Sequence, residues 1–169
     1  MAWTDEGYGD ADYLAAFHRL VMPIAREYGP ELVLVSAGFD AARGDPLGGM
    51  ALTPAGYAQM TAQLQTLGGG RVVIALEGGY NLRSISTSAA ACLRVLLGEP
   101  PSPIERGPPK PQALLDIEVA YRMLAPHWLT LQPPKLPREL SGRARRPVQT
   151  KGGVRRRRGK RGPWWHKYL

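Results

Sequence analysis

Asp40 and Tyr80 each close an apolar run that passes through glycine: Leu32-Val33-Leu34-Val35-Ser36-Ala37-Gly38-Phe39-Asp40, and Val72-Val73-Ile74-Ala75-Leu76-Glu77-Gly78-Gly79-Tyr80. A carboxylate in that position can ligate a metal, cap the next helix, or pair with a cation such as Arg43. A phenol after paired glycines can donate a hydrogen bond to an oxyanion, or simply pack on the neighbouring loop. In an open α/β sheet, groups of this kind meet beyond the carboxyl ends of the strands.

Other residue types add little to such a site. The histidines are His18, His127 and His166, widely spaced and without a His-His or His-x-His pair. A catalytic zinc centre needs about three protein ligands and one open position, so these make poor candidates. Cys92 sits among Ala89, Leu93 and Leu96 at helical spacing and reads as inert core. Asp5, Glu6, Asp10 and Asp12 read as a solvated loop plus a helix cap, since calcium requires a tighter ligand pattern.

The elements that must carry Asp40 and Tyr80 follow from periodicity. Asp10 or Asp12 can cap a helix reaching to about Tyr28, with Leu14, Phe17, Leu20, Val21 and Ile24 on its apolar side. Pro23 predicts a kink inside it, and Gly29-Pro30 an end. Residues 32–37 and 71–76 read as strands covered on both faces, because their apolar character does not alternate. Between them, Thr53-Pro54 starts a helix running to about Leu67, with Tyr57, Met60, Thr61 and Leu64 on one side and Gly68-Gly69-Gly70 as its stop. A further helix is expected from Ser84 through Leu97. A crossover of about 30 residues between the strands requires a parallel pair with a right-handed connection. The fold class is therefore α/β. Because a sheet usually has about five or six strands, the segment resembles the end of a larger domain.

Composition divides the 169-residue chain. Residues 1–98 hold 6 Lys/Arg against 9 Asp/Glu, whereas residues 99–169 hold 16 against 5. The formal charge of +8 thus belongs to the second part. Proline-rich residues 99–111 read as a linker, and residues 112–131 as a short amphipathic helix. Residues 132–169 read as a disordered basic tail, whose run Arg155–Arg161 could bind nucleic acid or an acidic partner, or act as a nuclear import signal. One cysteine rules out an intrachain disulfide, and no apolar run approaches the length of a membrane span. A cytoplasmic or nuclear location is expected.

The stretch Ser36-Ala-Gly-Phe-Asp-Ala-Ala-Arg-Gly-Asp-Pro-Leu-Gly-Gly49 resembles a motif of the zinc-dependent histone deacetylase family. Leu76-Glu-Gly-Gly-Tyr-Asn81 is similar to a second, and Gly9-Asp-Ala-Asp-Tyr-Leu-Ala-Ala-Phe17 fits the same picture. The likeness is in particular to class IIb, the second catalytic domain of the tandem-domain lysine deacetylase. It implies a partial deacetylase domain over residues 1–131, the C-terminal portion of an arginase/deacetylase-type parallel sheet flanked by helices. It implies further that Asp40 is a zinc ligand, that Tyr80 is the catalytic phenol that hydrogen-bonds the acetyl carbonyl, and that Leu47 lies at the rim of the acyl-lysine channel. Acetylated proteins such as histones or tubulin are the implied substrates. The family's histidine pair and Asp-x-His segment have no counterpart in this sequence. The chain alone is therefore expected to be inactive. The alternative is a non-catalytic module acting through its basic tail.

Overall fold

A computed structural model describes residues 2–105 and 107–132. The expected basic tail falls almost entirely outside these residues. Helix α1 spans Asp10–Ala16 and α2 spans Met22–Tyr28, joined by a π-helical turn over Phe17–Val21. The cause is Pro23 in the first turn of α2, which has no N–H to give to the preceding turn. The ladder widens just before it, so the expected kink takes the form of a π-bulge. Gly29, in the left-handed conformation at φ 66°, ends α2.

The expected cap of α1 is corrected by the structure. Gly9 occupies the N-cap, and Asp12 reaches back from the first turn to accept its N–H at 2.9 Å. Asp10 instead accepts from Thr53 N and Oγ1, at 2.8 and 2.6 Å, and so joins α1 to the start of α3. Helix α3 spans Pro54–Gln65, and Thr53 caps it as its Thr-Pro start requires, with Oγ1 accepting from Gly56 N.

Strands β1 (Val33–Ala37) and β2 (Val72–Leu76) pair in parallel, from Val33 opposite Val72 to Ala37 opposite Leu76. Helix α4 spans Leu82–Leu96, and α5 spans Pro111–Leu124. Helix α4 begins two residues before the expected Ser84, because the Asn81 side chain accepts from both Arg83 N and Ser84 N.

One core lies between the sheet and helices α1, α3 and α4. It holds Leu14, Ala37, Phe39, Leu52, Tyr57, Met60 and Cys92, with Val35 and Ile74 packed against it. A second gathers Ala16, Leu20, Ile117 and Leu131 around α5. The strands are not covered on both faces by the described residues: Leu34 is 72% exposed and Val73 52%. The unbroken apolar pattern reflects two faces fit for burial, of which the described helices occupy one.

Buried carboxylates fasten the N-terminal segment to the region around α5. Asp12 accepts the Lys110 N–H at 2.6 Å. Asp116 accepts from Thr4 N, Thr4 Oγ1, Tyr8 Oη and Gln112 Nε2. Of the expected linker, Ser102 O accepts from Gln59 Nε2 at 2.9 Å and Ile104 packs against the first core. Desolvation opposes the Asp116 charge, but the donors from Thr4, Gln112 and Tyr8 outweigh it and hold the carboxyl below its ordinary range. Its stabilisation is therefore complete above the ordinary carboxylate range and is lost as pH falls through the depressed folded value. Asp116→Ala should lower the thermal midpoint at pH 7, and the difference from the parent should shrink as pH falls below the ordinary carboxylate range. For packing, Ile117→Ala should cost about 2–5 kcal/mol in urea titrations, whereas Leu34→Ala on the open face should change the midpoint little.

Candidate functional site

The β1–β2 pairing continues past the strands. Glu77 N donates to Ala37 O at 3.1 Å, and Phe39 N donates to Gly78 O at 2.8 Å. The two strand tips are thereby locked side by side, with Asp40 one residue beyond the last bond on β1 and Tyr80 two residues beyond it on β2. Phe39 turns inward and is 3% exposed, packing on Tyr57 with ring centroids 5.0 Å apart. Inward-facing Phe39 fixes where the next residue, Asp40, emerges.

Asp40 is half-buried, and its carboxylate lies in a cradle of backbone. A Cβ on Gly78 would stand 2.6 Å from Asp40 Oδ2, and one on Gly38 3.0 Å from Oδ1. A Cβ on Gly48 would meet the Asp40 carbonyl oxygen at 1.8 Å. These glycines are required for space, since φ at none of the three is in the left-handed region. Two of the alternatives open for Asp40 are removed. The cap of α3 is Thr53, and the one ion pair among the described residues joins Arg122 to Glu118. No side-chain or backbone donor among the described residues hydrogen-bonds the Asp40 carboxylate.

Tyr80 is 59% exposed and Leu47 is 70% exposed. Neither packs into a core. The loops bearing them are interlocked. Asp45 Oδ2 accepts Tyr80 N at 2.6 Å, while Oδ1 accepts Leu47 N at 2.9 Å and Gly48 N at 3.1 Å. Asn81 Nδ2 donates to Gly44 O at 2.8 Å, and Ser84 Oγ to Arg43 O at 3.0 Å. Asp45 and Asn81 were not singled out from sequence. Their signal was Asp-Pro and Asn before a helix, each of which has ordinary uses in turns and caps.

The remaining candidates lie elsewhere. His18 is on the π-turn, His127 follows α5, and both are exposed; His166 lies outside the described residues. Cys92 is buried in α4, and desolvation raises its thiol pKa, which suits a core residue. Among the described residues no three His, Cys, Asp or Glu side chains converge to hold a metal. The donor set of this segment therefore does not make a zinc centre by itself: Asp40 is a single free carboxylate where about three ligands are needed. No described helix is long and apolar enough to cross a membrane.

A parallel α/β layer whose paired strand tips offer an unpaired acid and an exposed phenol has the layout of a strand-end site of an open α/β sheet. The comparisons narrow the class. The histone deacetylase domain model matches residues 1–96, and the chain belongs to that family. It is 50% identical over 133 residues to the histone deacetylase clr3 of Schizosaccharomyces pombe, covering 79% of this chain and 19% of that protein. It is also 50% identical over 134 residues to the polyamine deacetylase HDAC10 of Homo sapiens, covering 78% and 20%. The solved structure of Clr3 superposes with a TM-score of 0.76 over 78% of this chain and 22% of that one, at 50% identity. The crystal structure of the HDA15 HD domain gives 0.72 over 76% and 36%, at 49% identity. The chain thus spans about a fifth of the length of these two curated relatives. The fold is that of deacetylase domains, a parallel sheet flanked by helices.

The cradle gives a graded expectation. Gly48→Ala drives a methyl group into backbone and should lower the melting temperature strongly. Gly78→Ala meets the movable end of a side chain, so it should keep the melt nearer the parent and shift the Asp40 carboxylate in carbon-detected NMR.

Proposed function

We propose that this chain carries the C-terminal part of a zinc-dependent lysine deacetylase catalytic domain of class IIb type, like the second catalytic domain of the tandem-domain enzyme. In this reading residues 1–131 are the deacetylase portion. Asp40 supplies one carboxylate ligand to zinc, and the other ligands and the histidine pair come from outside residues 1–169. The observation that carries the reading is the juxtaposition itself: a half-buried carboxylate without a protein partner, beside an exposed phenol on the adjacent strand tip.

The chain's own contribution to amide hydrolysis is limited and specific. The Tyr80 O–H donates a hydrogen bond to the acetyl carbonyl oxygen and strengthens that bond as the oxygen gains negative charge. Leu47, an apolar side chain on an exposed loop, borders the path of the acyl-lysine. Zinc, when bound in a complete centre, would supply Lewis-acid activation of water and carbonyl. Asp40 by itself does not hold it.

The substrate class proposed is N-acetyl-lysine on proteins such as histones or tubulin, met in the nucleus or cytoplasm. The likeness to a polyamine deacetylase makes acetylated polyamines the first competing substrate to assay. The second reading, a non-catalytic module whose segment 132–169 contacts nucleic acid or an acidic partner, is favoured by the 13 Lys/Arg against one acidic residue in positions 135–169.

The test is a hybrid in which residues 1–131 replace the matching segment of Clr3, assayed on an acetyl-lysine peptide. The hybrid should turn over. Tyr80→Phe should reduce its kcat by about 10²–10³, and Asp40→Ala should lower its zinc content. The chain by itself should give no turnover, with or without added zinc. An inactive hybrid that nevertheless folds would sink the deacetylase reading.

A further inference from the structure

We propose that Asp45 is the positioning residue of the Tyr80 phenol, a single carboxylate that clamps the loop after β1 to the loop after β2. The inference rests on the deacetylase reading for the phenol's role, but the clamp itself rests on geometry alone.

Asp45 binds no cation among the described residues. Its two oxygens are instead divided between loops. Oδ1 closes the local turn on Leu47 N and Gly48 N, and Oδ2 takes the Tyr80 N–H, 35 positions away, at 2.6 Å. A charged acceptor makes such bonds short and roughly twice as strong as neutral ones. Desolvation works against the charge, yet the amides of Tyr80, Leu47, Gly48 and Asn81 together hold the carboxyl below its ordinary range. The acid therefore remains an acceptor at neutral pH.

The surroundings make Asp45 well suited to this task. Pro46 restricts the backbone of the residue before it. Gly44 turns at φ 87°, and Asp45 N donates to Ala42 O at 3.0 Å. The carboxylate is thus presented by a stiff turn. Tyr80 has no comparable support of its own: its side chain is largely exposed, and Gly79 before it, at φ 130°, is the permissive joint. Without the Asp45 bond, the Tyr80 backbone would be held by Gly78 O on one side and, on the other, by Asn81 through its helix cap and its bond to Gly44 O, with the permissive Gly79 between Gly78 and Tyr80.

The side-chain chemistry gives a test with two distinguishable variants. Asp45→Ala removes both acceptors. Asp45→Asn keeps one carbonyl oxygen but turns an NH₂ toward one of the two loops, so it can satisfy only one of them. In ¹⁵N-labelled full chain, Asp45→Ala should move the Tyr80, Leu47 and Gly48 amide protons upfield together. It should also speed their hydrogen exchange at least tenfold, with Val35 and Ile74 in the strands unchanged. Asp45→Asn should release Tyr80 or the Leu47–Gly48 pair, but not both. It also provides the answer if Asp45→Ala does not fold. In the active Clr3 hybrid, the Asp45 variant that releases the Tyr80 amide in the exchange measurement should lower kcat at least tenfold with KM unchanged, a split that general loss of structure would not produce. A Tyr80 amide indifferent to both variants overturns the clamp. An active hybrid whose kcat ignores a variant that has released the Tyr80 amide overturns the positioning role, whereas an inactive parent hybrid overturns the deacetylase reading instead.

Discussion

The hydrogen bond from Phe39 N to Gly78 O is the constraint on which the site depends. It extends a five-residue parallel ladder beyond the sheet and brings two loops into contact that are 40 positions apart in sequence. Parallel strands cannot be joined by a tight turn, so a helical crossover had to separate Asp40 from Tyr80. The same crossover, through α3, builds the floor beneath them. Tyr57 and Met60 of that helix pack under Phe39, and burying each large side chain is worth about 1.5–3 kcal/mol. The geometry of the strand tips and the packing of the core thus share residues.

Polar groups in this chain are mostly satisfied by backbone amides and not by countercharges. Asp12, Asp45, Asp116 and Glu27 each accept main-chain N–H groups from distant segments; Glu27, at the end of α2, takes those of Leu129 and Thr130. A carboxylate with two oxygens can bridge segments that no single side-chain pair could, and amide donors are fixed in direction by the fold. Asp40 is the exception among the site residues. It lies against glycine backbone with its oxygens unbonded among the described residues.

Much of the fold was legible because local chemistry and tertiary packing agree. Thr53-Pro54 dictates a helix start wherever it lies, and Gly29 in the left-handed conformation stops α2; α3, expected to reach about Leu67, ends at Gln65 before the three glycines, which form a 3-10 turn of their own. The strands were placed within a residue of their ends, since Val, Ile and Leu runs of that length between turns have few other uses. The miscues came from choices among equivalent side chains. Asp10 and Asp12 are both good caps; which one reaches back to Gly9 depends on Thr53, 43 positions away from Asp10, claiming the other. Burial of the strands was misjudged for a different reason. An apolar run reports that both faces can be covered, and it carries no information about which neighbouring segments do so.

The sequence alone determined the two polar residues that close the apolar runs, the glycines that precede them, and the family motifs they belong to, because each of these is written in consecutive residues. Tertiary structure alone decided that the two tips are neighbours, that Asp40 is left unpaired, and that Asp45 spans both loops. Those facts concern atoms that approach only after the chain has doubled back through a helix, and no local pattern encodes a distance between residues that far apart.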